Sequence, residues 1–515
     1  MIQQLLNKHK SIKLLLFITI ITQIGFLLYY MNNKAALFVD EAYTYSMANS
    51  SYGTLFPCSN LKFIQEIGNY NCKWLDGSFF RDYIAVSKNH RFNYSCIDEM
   101  HLFDSHPPFH CYLLHTICSL FPESFSMWYA FSLNLILFIG TQLLLFNISR
   151  RIFNSEKYAL LICFIYGFSS ATIDCFIYIR MYSLSTFFVL LLLNVYLICL
   201  DNKQSLFRFI SIVIIVLLGG LTHYHFLVFA FFLSLIFVVV SLIEKKNNAF
   251  FTVAFSAVIG VLLFFLRFPG VLFQFENTPR AAEALDMGKI TSSSINGISF
   301  FFQEFYNSNP LLGNYVSILF VAMFFVIFCI LFAKKYITNI SHSVFYITAI
   351  PTILFFIFIS FSVGFYSFGI QGERFFFIVY PLIVVTLIVF LAKIKFFIYC
   401  LALISLISSF VMVDFNFKDY EGFNSELEKL FDGNNIVLYC EQPEILEVLS
   451  VKLLRCNKVM IVPYATQSWF PKEYSKDEKT YLVFVNHNKK LNLPFKLVKE
   501  SKYYDLRYSV YDLVN

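Results

Sequence analysis

Five short clusters of chemistry-bearing residues interrupt an otherwise apolar chain. FVDEAYTYSMA carries the adjacent carboxylates Asp40 and Glu41, and DSHPPFHCYLLH gathers Asp104, His106 and His110 around a Pro-Pro pair. DCFIYIRMYSL holds Arg180, LTHYHFL holds His223 and His225, and GIQGERFFFIVYP holds Glu373 and Arg374. A carboxylate takes a proton from a hydroxyl. An arginine at a membrane surface neutralises a phosphate and forks onto its oxygens. A phosphate leaving group needs charge stabilisation more than protonation. Such a set suits glycosyl transfer from a lipid phosphate, with the bilayer holding the lipid tail.

Taken singly, each cluster has an ordinary explanation. Acids after a helix form a solvated face, and Pro-Pro with its neighbours starts and caps an interfacial helix. An arginine at the membrane boundary snorkels, Glu373 and Arg374 form a membrane-edge ion pair, and His223 with His225 make an interfacial turn. Two histidines at i and i+2 are weak metal ligands without a carboxylate at fixed spacing. Cysteine usage adds no metal signature: the 12 are scattered, with no CxxC spacing. Cys58, Cys72 and Cys96 share one loop, where at most one pair forms in an oxidising compartment.

The elements that position these clusters are read from composition. Hydrophobic residues are 58% of 515 and charged residues 14%, a balance that suits lipid as the solvent. At about twenty residues per crossing, membrane helices are expected near 12–31, 127–148, 157–174, 181–200, 207–222, 224–243, 248–267, 311–333, 343–364, 374–392 and 396–413. The first is too long for a signal-peptide core and reads as an uncleaved span. Short basic segments (7–13, 149–157, 201–208, 244–248, 333–342, 392–395) fall on alternate turns, so they are cytoplasmic by the positive-inside rule. The net charge of +6 is explained by this pattern and not by nucleic-acid binding. The fold expected is an α-helical polytopic membrane domain over 1–413, about eleven spans, with a large first outer loop at 32–126. Helix-like and strand-like segments follow in a soluble composition, predicting a small extracytoplasmic α/β domain over 414–515.

Topology changes the weight of the clusters. With the N-terminus inside and the C-terminus outside, all five lie on one side of the membrane, near its surface, and the spans carry almost no charge in their interiors. A lipid-linked saccharide transporter or flippase, the alternative from another class, places ionisable groups through the membrane depth. A polysaccharide polymerase or ligase shares the side and the phosphate contacts, and a non-catalytic scaffold needs none of them. The outer segment 268–310, with Glu276, Arg280, Glu283 and Glu304, reads as a solvated surface helix or as a cover over the cavity.

In order and loop placement, the DE of Asp40 and Glu41, the HPP of His106 to Pro108, RMYSL from Arg180, THYHF from Thr222 and ERFFFIVYP from Glu373 resemble the GT-C superfamily of membrane glycosyltransferases. The likeness covers roughly the first 400 residues and is nearest to the protein O-mannosyltransferase and lipid A aminoarabinose transferase branch, a bacterial family 39-like pattern. WLDGSFFRDY and LLHTICSLFP are similar to uncharacterised bacterial membrane proteins of this type. The resemblance implies an inverting transferase using a polyprenyl-phosphate sugar, by direct attack of an acceptor hydroxyl and without a covalent intermediate. It implies Asp40 as base, Glu41 in a supporting role, Arg180 and Arg374 on the donor phosphate, and Tyr43, His106, His223, His225 and Glu373 lining the cavity. HPPFH replaces the more usual HPPLY, and the phosphate-binding lysine of some members has only Lys73 and Lys88 as counterparts. This branch implies no cofactor and no required metal. The partners implied are the bilayer, the lipid-linked sugar and a glycan, lipid or protein acceptor, at a bacterial plasma membrane.

Overall fold

The computed structural model describes residues 2–34, 37–50, 73–102, 104–201, 205–277, 341–363, 373–392, 395–411, 413, 430–439, 449–462, 479–485, 496–503 and 506–512. The expected span at 311–333, the segment 278–310, Cys58 and Cys72 lie outside these residues. Among the described residues six helices are long and apolar enough to cross a membrane: Ser11–Asn33, Met127–Phe153, Tyr182–Leu200, Tyr224–Ile243, Asn247–Arg267 and His342–Ile359. Their outer faces carry exposed Phe17, Phe231, Phe255 and Leu266. Such faces are stable against hydrocarbon and not against water. The protein is an integral, multi-pass membrane protein.

Four expected spans take a different form, the one at 396–413 being the 17-residue helix Lys395–Val411. The run at 157–174 is two helices, Glu156–Gly167 and Ser170–Ile177, bent by 62°. Gly167 sits where an added Cβ would fall 2.3 Å from the Gln23 side chain and 2.4 Å from Gln142. Those two amides meet the backbone at the break: Gln23 Nε2 donates to the Cys163 carbonyl at 3.0 Å, and Gln142 Nε2 donates to Gln23 Oε1 at 2.9 Å. Side-chain donors of this kind let a helix break inside a bilayer. Ser169 restarts the chain as the N-cap of the second helix. The run at 207–222 is a helix of 15 residues, Leu206–Gly220. The run at 374–392 opens with a 3-10 turn, Glu373–Phe376, and its helix Tyr380–Leu391 begins only where Pro381 occupies the first turn, as its missing N–H requires.

Before the second span, the first loop folds into short helices, Val39–Asn49, Gly77–Ile84, Ser95–His101 and Phe109–Leu120. The first of these is buried from Glu41 to Asn49, because the other three pack around it. Asn49 Nδ2 reaches the Ile84 carbonyl at 2.8 Å, and the His115 ring sits 2.8 Å from the Ala48 carbonyl. The acidic pair therefore starts a buried helix and not a solvated face.

A six-stranded sheet completes the described chain, in the order β1 (Trp74–Asp76), β3 (Lys458–Val462), β2 (Asn435–Tyr439), β4 (Thr480–Val485), β6 (Leu506–Asp512), β5 (Lys496–Tyr503). β2 is parallel to β3 and β4, and all its residues are buried, as central parallel strands require. β6 is antiparallel to β4 and to β5. The edge strand β1 comes from the first loop and runs antiparallel to β3, with Leu75 opposite Val459. WLDGSFFRDY is therefore a strand followed at once by a helix, whose N-cap Asp76 accepts from the Ser78 N–H at 2.7 Å.

Candidate active site

Backbone contacts between distant segments bring the clusters together. The Phe109 N–H donates to the Leu221 carbonyl at 2.9 Å, tying the HPP helix start to the histidine turn. Thr186 Oγ1 donates to the Phe377 carbonyl at 3.2 Å, tying the first turn after Arg180 to the 3-10 turn that carries Arg374. The half-exposed Asp40, in the first turn of its helix, faces both arginines.

Asp40 Oδ2 accepts from Arg374 Nη1 and, at 2.9 Å, from the Tyr178 hydroxyl, which in turn accepts from Arg374 Nη1 at 3.2 Å. Arg180 is buried, and its Nη1 donates to Thr44 Oγ1 at 3.0 Å and to the Asp40 carbonyl at 3.3 Å. Its guanidinium also lies 6.0 Å from the centre of the Tyr43 ring. Burial pushes the Asp40 carboxyl up, but Arg180, Arg374 and the hydrogen bonds from Tyr178 and Arg374 outweigh it and hold the group down at about 2. Both guanidinium Nε atoms are buried without a hydrogen-bond partner among the described residues.

On the adjoining wall, Asp104 Oδ1 accepts from the Tyr43 hydroxyl at 3.2 Å, and Oδ2 lies 3.2 Å from His106 Nδ1. Burial raises this carboxyl, yet the His106 charge and hydrogen bond prevail and hold it well below the usual carboxylate range. The rings of His106 and His223 are 5.7 Å apart, His223 and His225 4.5 Å, and Tyr182 and His223 5.5 Å. His223 caps the helix Tyr224–Ile243, its Nδ1 accepting from the His225 N–H at 3.0 Å. Desolvation first, then His225, His106 and the two arginines, push its imidazole well below the usual histidine range. Among the described residues no group of three or more His, Cys, Asp or Glu is arranged to hold a metal ion.

The arrangement combines a carboxylate held low, two guanidiniums each with a buried Nε–H without a partner among the described residues, and a wall of imidazole and aromatic rings at one end of the apolar helices. The chain is similar to ArnT from Cupriavidus metallidurans. The undecaprenyl phosphate-bound structure of that protein matches with a TM-score of 0.47 and 10% identity, over 96% of this chain and 97% of that one. Its apo structure matches with a TM-score of 0.34 and 11% identity, over 91% and 96%. The oligosaccharyltransferase of Archaeoglobus fulgidus, in complex with zinc and sulfate, matches with a TM-score of 0.45 and 11% identity, over 91% of this chain and 67% of that one. No protein-family model and no curated protein sequence matches.

The structure thus gathers Asp40, Tyr43, Arg180, His106, His223, His225 and Arg374 around one site. Glu373 is in the same 3-10 turn as Arg374. Glu41, expected beside the base, points away from Asp40 into the protein: Oε1 accepts from Lys34 Nζ at 2.8 Å and the Ile179 N–H at 2.7 Å, and Oε2 from the Phe38 N–H at 2.7 Å. Tyr178 and Tyr182 were not singled out from the sequence, where they are two of 32 tyrosines. Only their distance of two residues on either side of Arg180 marks them.

Proposed function

We propose that this protein is an inverting glycosyltransferase that moves a sugar from a polyprenyl-phosphate donor to a hydroxyl acceptor at the extracytoplasmic face of a bacterial plasma membrane. The observation that carries the reading is the cluster of Asp40, Tyr178, Arg180 and Arg374, drawn from segments up to 334 residues apart and largely buried at one end of the apolar helices. The donor's prenyl chain lies in the bilayer, and its phosphate is held by the guanidiniums of Arg180 and Arg374, which suit it as planar forks. The acceptor oxygen attacks the anomeric carbon while the bond from that carbon to the phosphate oxygen breaks. Asp40 takes the acceptor proton, and polyprenyl phosphate leaves with its charge held by the arginines. The phosphate also neutralises the guanidiniums that depress the basicity of Asp40, so the base strengthens as the donor arrives. Tyr43, His106, His223 and His225 line the sugar cavity, with Glu373 at its edge. No divalent metal takes part.

The test is turnover of a panel of radiolabelled undecaprenyl-phosphate hexoses and pentoses by purified protein in detergent with EDTA, supplied with envelope glycan, lipid or protein acceptors. Wild type is expected to move label from the lipid to one acceptor class. Asp40→Asn, equally monodisperse, is expected to lose about 100- to 10,000-fold in rate, the range for removing a positioned base. Undiminished transfer by Asp40→Asn removes the base; movement of intact labelled lipid across vesicles without cleavage replaces the transferase with a flippase.

A further inference from the structure

Asn134 lies within the apolar span Met127–Phe153, fully buried, with every polar atom of its amide engaged. Its Nδ2 donates to the Phe176 carbonyl at 2.8 Å and the Tyr178 carbonyl at 3.2 Å, and its Oδ1 accepts from Ser183 Oγ at 2.7 Å. The helix Ser170–Ile177 ends here, and its last carbonyls, such as that of Phe176, have no partner within it, while the Tyr178 carbonyl just beyond also accepts from the Arg180 N–H at 3.0 Å. In a bilayer they must find one. The neighbouring peptide groups of the same turn are held from the other side: Lys34 Nζ lies 3.4 Å from the Ile177 carbonyl, and Glu41 Oε1 accepts from the Ile179 N–H at 2.7 Å. Four consecutive residues, Phe176 to Ile179, are therefore each gripped through the backbone by a side chain from another segment.

That turn carries Tyr178, which donates to Asp40, and Arg180, which faces it. We infer that Asn134, secured by Ser183 and working opposite Lys34 and Glu41, is a positioning residue that fixes the Tyr178–Arg180 turn against Asp40 for the transfer. The inference rests on the function proposed above and deepens it: Asn134 touches neither donor nor acceptor and acts through the turn. Rigid support of this kind matters because a misplacement of about 1 Å can cost 100-fold in rate.

A purely structural amide and a positioning one differ in what they do to the titration of Asp40. The charged and titratable groups around Asp40 are Glu41 and Tyr43 on its own helix, Tyr178 and Arg180 on the turn, Arg374 on the 3-10 turn, and Asp104, His106 and His223 on the adjoining wall. Of those that lower its carboxyl, Tyr178 and Arg180 move with the turn. Loosening the turn weakens their hold, the carboxyl titrates at higher pH, and the acid limb of the rate profile moves up.

The experiment measures the pH–rate profile of Asn134→Ala and Ser183→Ala against wild type, using the undecaprenyl-phosphate sugar that wild type turns over best. Asn134→Ala is expected to lose 10- to 100-fold in kcat, with its acid limb at higher pH and the KM for donor changed less than kcat. Ser183→Ala, which removes only the hydroxyl that holds Asn134, is expected to move the limb in the same direction by less. A lower rate with the wild-type profile in both variants overturns the inference. If Asn134→Ala is not recovered folded, Ser183→Ala decides alone: a shifted limb supports the positioning role, an unshifted one ends it. Absence of turnover by wild type is a failure of the transferase reading itself and is seen before any variant is compared.

Discussion

Asp40 and Glu41 are neighbours with opposite surroundings, and the difference fixes what each can do. Asp40 is half-exposed and shares its carboxylate with Arg374 and Tyr178. Glu41 is fully buried and spends both oxygens on fixed donors, Lys34 and the backbone of Phe38 and Ile179. Its bond back to the Phe38 N–H is the carboxylate half of a capping box. The pair Lys34–Glu41 is wholly inside the protein. Removing one partner of a buried pair leaves an uncompensated charge, at a cost of about 3–5 kcal/mol. Lys34→Met is therefore expected to lower the thermal midpoint in detergent markedly, and Lys34→Met with Glu41→Gln to recover part of the loss, since no charge is stranded but the amide accepts from only one of the Phe38 and Ile179 N–H groups. A single variant as stable as wild type would show that the pair is hydrated. At this scale the sequence shows residue types but not their partners. The DE dipeptide was legible as chemistry, while the division of labour inside it depends on Ile179, 138 positions away from Glu41.

At the scale of elements, what could be read was whatever follows from local pattern. Long apolar runs located the six long helices of the described residues, and the five short clusters named side chains that lie near one another, but not the turn of Glu41 toward Lys34 and Ile179. The bend at Gly167 was hidden, because its cause is a pair of amides, Gln23 and Gln142, from two other helices. Asn134 was hidden too, as one polar residue in an apolar run whose importance lies in the carbonyls it meets. β1 was out of reach because three residues, Trp74–Asp76, pair with a strand some 380 positions further on. That pairing makes Gly77 a junction. A Cβ there would fall 2.4 Å from the Cys456 carbonyl oxygen and 3.0 Å from that of Leu454, and both are backbone atoms that cannot swing aside. Gly77→Ala is expected to loosen the sheet from the first loop, raising protease sensitivity after residue 414 while the helical part stays folded. Wild-type resistance in that variant would mean that the strand β1 is not a fixed attachment.

For the whole molecule the question is which side of the membrane the site faces, and the expectation comes from charge that lies far from the chemistry. The span Met127–Phe153 has Ser126, bonded to the Tyr45 hydroxyl at 2.8 Å, at the end near the first loop, and Arg150 with Arg151 at the other. The span Tyr224–Ile243 has His223 at the site end and Lys245 with Lys246 just beyond the opposite end. Both basic turns are short, the kind that stays in the cytoplasm. Because the helices fix which end is which, the site and the two basic turns cannot share a side, and one measured turn orients every other. A green fluorescent protein fused after Lys246 is expected to fluoresce, alkaline phosphatase fused after Asn515 to be active, and the reciprocal pair of fusions to be silent. The reverse result turns the site to the cytoplasm, where nucleotide sugars are available. A lipid-linked donor would then lose its physical rationale, though the Asp40 cluster would keep its chemistry. The expected result puts Arg180 and Arg374 on the outer face, the side on which the proposed prenyl-phosphate donor would have to present its sugar.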